Sequence, residues 1–382
     1  MFINAATFAL TNNCNLACSY CFVGEKQKTS MPLKTAQKAV DWLLRDDISG
    51  PVGRVDITFF GGEPFMEFKK IQKIVPYAKS KAKETGKEMH FNVTTNGTLF
   101  NEKIAQFWKE YKLGLLLSCD GIPDAHNFHR KTKNGNGSYS LIEKNLDNIL
   151  EASSSKEVRM TVAPETVQYL KQGVQFLVDL GFLAIAVFHA EEYDWTKEQL
   201  LEFENQFYEI GEIYTTAIEQ ESKIQIGPLD RYIKAKVNGI DKNFKEESSC
   251  GAGRGYIGIS SSGGIYPCHR FFTANSFQGA FPIGHIDTGL DEQKRMPFLR
   301  MKRRFMLGCD SDCKYCPVID VCSGGCMAAN YDVTGHLTMR PPTARYFEII
   351  WDSVAQSMVD YFDKTDPEKL KKQFANPASK PC

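Results

Sequence analysis

From residue 3 to about 220 the chain alternates short apolar, β-branched runs with longer stretches of helical period. The strand-like runs are INAATFALT (3 to 11), RVDITFF (54 to 60), MHFNVTT (89 to 95), LGLLLSC (113 to 119), EVRMTVA (157 to 163) and FLAIAVF (182 to 188). Helical spacing fills the intervals at about 32 to 46, 67 to 85, 101 to 111, 139 to 152 and 165 to 180, and follows again at 196 to 219. Six strand-helix units in succession predict an α/β fold on a parallel sheet, although periodicity does not say whether the sheet closes. Ala36, Val40, Leu43 and Leu44 fall on one helical face and mark packing, not chemistry. Past residue 220 glycine, serine and cysteine become dense, and periodicity fades until a last helical stretch at 343 to 362. The expected organisation is a regular module at 1–220, an irregular one at 221–340, and a helix with a tail at 341–382. The closing DPEKLKKQFANPASKPC reads as solvated, which makes Cys382 incidental.

At 382 residues the chain is long enough for a sizeable core. Its 46 basic and 46 acidic residues cancel, which argues against nucleic acid or an anionic membrane as partner. The opening MFINAATFALTNN lacks the marks of a signal peptide, and no run approaches 18 apolar residues, so a soluble cytoplasmic protein is expected. Twelve cysteines in such a chain point to metal or catalysis more than to disulfides. They cluster: Cys14, Cys18 and Cys21 lie together, seven fall between Cys250 and Cys326, and only Cys119 and Cys382 stand apart.

Cys14-x3-Cys18-x2-Cys21 begins where the first strand ends, the position at which parallel α/β folds place active sites. Three thiolates there can hold three irons of a 4Fe-4S cube and leave the fourth open. A structural zinc needs a fourth ligand, and no His or Cys occurs between Cys21 and His90. Gly61-Gly62-Glu63-Pro64 ends the second strand: two glycines allow close backbone approach, and a carboxylate suits an ammonium. A tight turn is the plainer reading of the same four residues.

CNLACSYC, with Tyr20 before the third cysteine, resembles the CxxxCxxC signature of radical S-adenosylmethionine (SAM) enzymes, and GGEP resembles that family's motif for the SAM amino group. By the same resemblance Thr95 and Asn96 in TTNGT lie near the cofactor, though Asn-Gly is also an ordinary turn signal. Ser118 and Asp120 in LSCDG resemble contacts to the SAM ribose and its pocket, and Arg130 in HNFHRKT resembles the partner of the SAM carboxylate, with a solvated basic cluster as the alternative. Cys119 reads as a small buried hydrophobe. The resemblance implies a partial (β/α)6 TIM-like barrel and reductive cleavage of SAM to a 5'-deoxyadenosyl radical, fed by a one-electron donor such as a flavodoxin or ferredoxin.

Cys313-x2-Cys316-x5-Cys322-x3-Cys326 is preceded by Cys309, Cys268 and Cys250. Seven thiols exceed one four-coordinate ion and suggest two sites, although paired cysteines also occur in zinc ribbons. With Gly263-x4-Cys268, the set resembles the SPASM auxiliary-cluster domain, so three 4Fe-4S clusters are implied in all. By that resemblance Cys250, Cys268 and Cys326 serve one auxiliary cluster and Cys313, Cys316 and Cys322 the other. No cysteine follows Cys326 where a seventh ligand is expected, so Cys309 either completes the second cluster or serves the first.

SPASM enzymes mostly modify ribosomally made peptides or proteins. The branch that makes formylglycine in sulfatases carries an aspartate directly after the G-x4-C cysteine, where this chain has His269, which can also accept a proton. The implied activity is a peptide maturase forming a thioether or carbon-carbon crosslink, with His269 as candidate base. Formylglycine generation is the second reading, and a non-catalytic zinc or redox-carrier protein the third. The first strand begins near residue 3, so leader recognition is expected from another surface or a separate leader-binding protein, or no leader is used. Tyr193 and Trp195 either line a substrate channel or pack in the core.

Overall fold

The computed structural model describes residues 1–374 apart from 25, 27, 241–249, 274–279, 302–310 and 323, so Cys309 and Cys382 lie outside the described residues. The described strands are, in chain order, β1 (Ala5–Thr11), β2 (Gly53–Gly61), β3 (Lys87–Thr95), β4 (Gly114–Ser118), β5 (Glu157–Val162), β6 (Ala184–His189), β7 (Gln225–Gly227), β8 (Tyr256–Ile259), β9 (Gly264–Tyr266), β10 (Gly284–His285) and β11 (Gly289–Leu290). The chain forms two compact units: one from 1–118, 126–156 and 250–301, the other from the described residues within 119–125, 157–249 and 302–382.

In the first unit β1 to β4 run parallel in chain order. The register sets Phe8 beside Phe59, Ile57 beside Phe91 and Val93 beside Leu115, all buried, so one face of the sheet is continuously apolar. The helices Leu33–Leu43 and Phe68–Glu84 pack on each other, and the latter covers β3. On the other side of β1, β8 pairs parallel to it, Ala5 facing Tyr256, and β9 to β11 extend the sheet antiparallel. These runs of 4, 3, 2 and 2 residues are too short to show alternation, which is why the region past 220 looks irregular in sequence.

In the second unit β5, β6 and β7 are parallel. Thr196 and Gln199 close a capping box that starts the helix Lys197–Glu219. Its Phe203 and Phe207 pack with Trp351 of the helix Ala344–Thr365, and Phe203 also meets Phe347 and Trp195. Trp195 is buried, so its part is packing. The expected tail is corrected here: Pro367–Phe374 is a helix whose Leu370 and Phe374 are buried, with Lys369, Lys371 and Lys372 on the polar side. The α/β class and the six strand-helix units read from periodicity are those observed.

Candidate functional site

Cys14, Cys18 and Cys21 lie on the loop that leaves β1. The end of β2 fastens that loop: the Gly62 N–H donates to the Thr11 carbonyl (2.8 Å) and the Glu63 N–H to the Asn13 carbonyl (2.9 Å). A Cβ on Gly61, whose φ is +136°, would stand 1.9 Å from Thr11 O, and one on Gly62 2.0 Å from Asn13 O. The close approach that this glycine pair permits is to the backbone of the cysteine loop.

Glu63 then ties β2 to β3. Its carboxylate is fully buried and accepts from the Phe65 N–H (3.0 Å), the Thr95 hydroxyl (2.9 Å) and the Asn96 N–H (2.8 Å), while Pro64 opens the turn that follows. Burial pushes its pKa up to about 7 against the pull of those three donors. A carboxylate has about four acceptor positions, so one donor more can be taken. Asn96 continues the frame, its Nδ2 lying 3.0 Å from Asn15 Oδ1 and 3.8 Å from Cys14 Sγ.

Cys14, Cys21, Cys250 and Cys322 accept donors at sulfur. Leu16 N–H donates to Cys14 Sγ (3.4 Å), Gly324 N–H to Cys322 Sγ (3.4 Å), and Ala252 N–H to the Cys250 sulfur, each two residues on from its cysteine. Lys26 Nζ lies 2.7 Å from Cys21 Sγ. Cys119 differs, because its thiol is the donor, to Gly121 O at 3.8 Å. Burial raises the pKa of Cys14 and Cys250 and pushes Cys322 up to about 11, so these thiols hold their protons until a metal displaces them. Among the described residues no three His, Cys, Asp or Glu side chains converge as they would on a single ion. Sulfurs that accept N–H bonds in this way suit thiolate ligands of an iron-sulfur cluster.

Elsewhere in the first unit, Arg130 is buried with its guanidinium 5.4 Å from the centre of the Tyr20 ring, and Ser118 ends β4. Burial holds the Tyr256 phenol above the ordinary value, with smaller contributions from the nearby Cys268 and Cys250. The Tyr256 hydroxyl joins Thr7 Oγ1 (2.7 Å) to His269 Nδ1 (2.7 Å). The His269 ring lies 4.4 Å from that of Phe60 at the end of β2 and 6.2 Å from that of Phe22, next to Cys21. This hydroxyl relay and Lys26 carry no sequence motif and were not anticipated.

In the second unit, Asp120 accepts from the Thr161 N–H at 3.0 Å. Cys313 and Cys322 are buried with Val318, and Cys316 packs against them, so the three thiols assigned to one auxiliary cluster are gathered in one apolar pocket. Cys326 begins the helix Met327–Thr334. Arg340 donates to Cys322 Sγ at 3.0 Å and its Nε, also buried, has no acceptor among the described residues. A donor without a partner beside three thiols fits an anionic group held there. His189, stacked 3.7 Å from the Phe347 ring, is driven down to about 3 by burial and stays neutral.

Residues 8–177 match the model of the radical SAM superfamily. An uncharacterized protein of Methanocaldococcus jannaschii is 32% identical over 177 residues, 46% of this chain and 59% of that one, less than two thirds of its length. The radical SAM cyclopropyl synthase TigE of Paramaledivibacter caminithermalis is 21% identical across 86% of this chain and 68% of its own. A cysteine-type anaerobic sulfatase-maturating enzyme of Clostridium perfringens is 20% identical across 83% and 86%. Among solved structures, anSMEcpe with bound AdoMet and the Cp18Cys peptide superposes with a TM-score of 0.74 at 16% identity over 94% of this chain and 99% of that one. SuiB of Streptococcus suis bound to its precursor peptide SuiA gives 0.58 at 16% identity over 90% and 75%. The fold is thus the α/β fold of these enzymes, and the chain is similar to SPASM-type radical SAM maturases.

Proposed function

We propose that this chain modifies a ribosomally made peptide or protein and forms a thioether or carbon-carbon crosslink in it. The observation that carries the reading is the frame in which main-chain bonds and the Glu63 carboxylate lock the cysteine loop to the ends of β2 and β3. In this reading Cys14, Cys18 and Cys21 hold a 4Fe-4S cluster with one iron left for SAM, and Glu63 and Arg130 take the ammonium and carboxylate of SAM. When bound, cluster and SAM supply a radical that removes a hydrogen atom from the substrate. The chain's own residues keep the thiols oriented, through Leu16, Asn96 and Lys26, and exclude water with Phe22 and Phe60. His269 is the proposed proton acceptor. If its Nδ1 donates to Tyr256, its Nε2 can accept; if Tyr256 donates, Nε2 carries the proton. A second reading, formylglycine generation, is supported by the sulfatase-maturating relatives, of which the Clostridium enzyme is matched over 86% of its length. Peptides bound by anSMEcpe and SuiB support a polypeptide substrate in either case.

The test is anaerobic turnover of the iron-loaded chain with SAM, a reductant and the product of a short neighbouring reading frame, read by mass. A loss of about 2 Da per bond supports crosslinking, and a loss of about 18 Da from a cysteine peptide supports formylglycine. Absence of 5'-deoxyadenosine from protein carrying a full complement of iron would sink both.

A further inference from the structure

A buried cation stands beside the thiols of the second unit, and among the described residues its carboxylate neighbour, Glu348, pairs with it only at 3.7 Å. Arg340 is 6% exposed, and its Nη2 donates to the Ala344 carbonyl at 3.1 Å while Nη1 donates to Cys322 Sγ at 3.0 Å. Its carboxylate neighbour, Glu348 Oε1, is 3.7 Å away, beyond hydrogen-bond reach. Glu348 is committed elsewhere: Oε2 accepts from Arg231 Nη2 at 2.6 Å and from the Tyr232 hydroxyl. The unpartnered Nε of Arg340 lies near Gly325, on which a Cβ would stand 3.5 Å from it. Removing a guanidinium from water is costly unless an anion answers it. Here the described contacts of the guanidinium are the neutral Ala344 carbonyl and a cysteine sulfur, the latter in an apolar cluster that also holds Cys313 and Cys316.

We infer that Arg340 is a positioning residue that raises the reduction potential of an iron-sulfur cluster held by Cys313, Cys316 and Cys322. The inference rests on the reading that these thiols bind iron. Reduction adds negative charge to a cluster, so a fixed cation and N–H bonds to its sulfurs stabilise the reduced form more than the oxidised one. Glu348 acts with the opposite sign, and Arg231 with Tyr232 limits its effect by holding its other oxygen. So tuned, the cluster takes up an electron more readily.

The experiment is a redox titration of the full chain, reconstituted with iron and sulfide, followed by electron paramagnetic resonance. The relevant signal is the one lost when Cys313, Cys316 and Cys322 are replaced by Ala. Arg340→Gln should shift its midpoint to lower potential, Glu348→Gln should shift it higher, and Arg340→Lys, which keeps the charge but not the fork, should fall between wild type and Arg340→Gln. An unchanged midpoint in Arg340→Gln at wild-type iron content overturns the inference. If Arg340→Gln fails to load iron, Glu348→Gln decides: a midpoint at or below wild type overturns the inference, and a higher one supports it. If the triple cysteine variant loses neither iron nor any signal, the cluster reading itself fails, whatever Arg340 does.

Discussion

Removing the Glu63 carboxylate probes the frame around the cysteine loop directly. In Glu63→Ala two main-chain donors, Phe65 N–H and Asn96 N–H, lose their acceptor together with the Thr95 hydroxyl. Each buried donor left unpaired costs about 1 to 3 kcal/mol, so the loop ends open more easily by roughly 3 kcal/mol or more. Against this stands the carboxylate's own burial, which lifts its pKa from 4.5 to about 7. A rise of that size disfavours the ionised form by about 3 kcal/mol. Because the folded pKa lies above the unfolded one, the stability Glu63 contributes is fully present below about pH 4.5 and is lost as pH rises through about 7. The two effects therefore separate with pH. The penalty of Glu63→Ala should be largest near the acid end of the accessible range and shrink toward about pH 8, where the wild-type carboxylate is ionised.

Hydrogen-deuterium exchange of peptides covering 62–68 and 93–99 reads this locally, and comparing wild type with variant at each pH cancels the intrinsic pH dependence of exchange. In iron-free protein at about pH 6, the Phe65 and Asn96 amides of Glu63→Ala should exchange roughly ten- to a hundredfold faster than in wild type. The excess should narrow at about pH 8. Equal protection at pH 6 would refute the clasp, and an excess that grows with pH would show that burial does not disfavour the charged form.

Since an ammonium prefers an ionised partner, SAM affinity should strengthen as pH rises through about 7 in wild type, and Glu63→Gln should lose both the affinity and its slope in calorimetric titration. Gly62→Ala would place a methyl 2.0 Å from the Asn13 carbonyl, and the variant should lose iron equivalent to one cluster while the auxiliary signals persist. Tyr256→Phe breaks the relay between Thr7 and His269 and should slow product formation more than 5'-deoxyadenosine release; equal loss of both would deny the relay a role after hydrogen abstraction. Truncation after residue 366 removes the buried Leu370 and Phe374, a loss of about 3 to 6 kcal/mol that should appear as a clear drop in thermal midpoint.

What could be read from the residues divides by range along the chain. The apolar alternation of β2 and β3 and the periodicity of Lys197–Glu219 are local, and they place the elements to within a few positions. Cysteine spacing is also local, and it marks which thiols can be gathered, as Cys313, Cys316 and Cys322 are. The addition of β8 to β1 joins residues about 250 positions apart through a four-residue run, too short for any periodic signal. The same holds for polarity around the sulfurs. Leu16, Ala252 and Gly324 can each donate because none is proline, but Gly121 follows Cys119 at the same spacing and there the thiol donates instead. Spacing therefore identifies which sulfurs are brought together, while their electronic character depends on distant residues such as Arg340, Glu348 and Arg231, which no motif connects. Enzymes with the same cysteine order can on this account run their clusters at different potentials, and the residues to compare between them are the cations packed on the thiols, not the cysteines themselves.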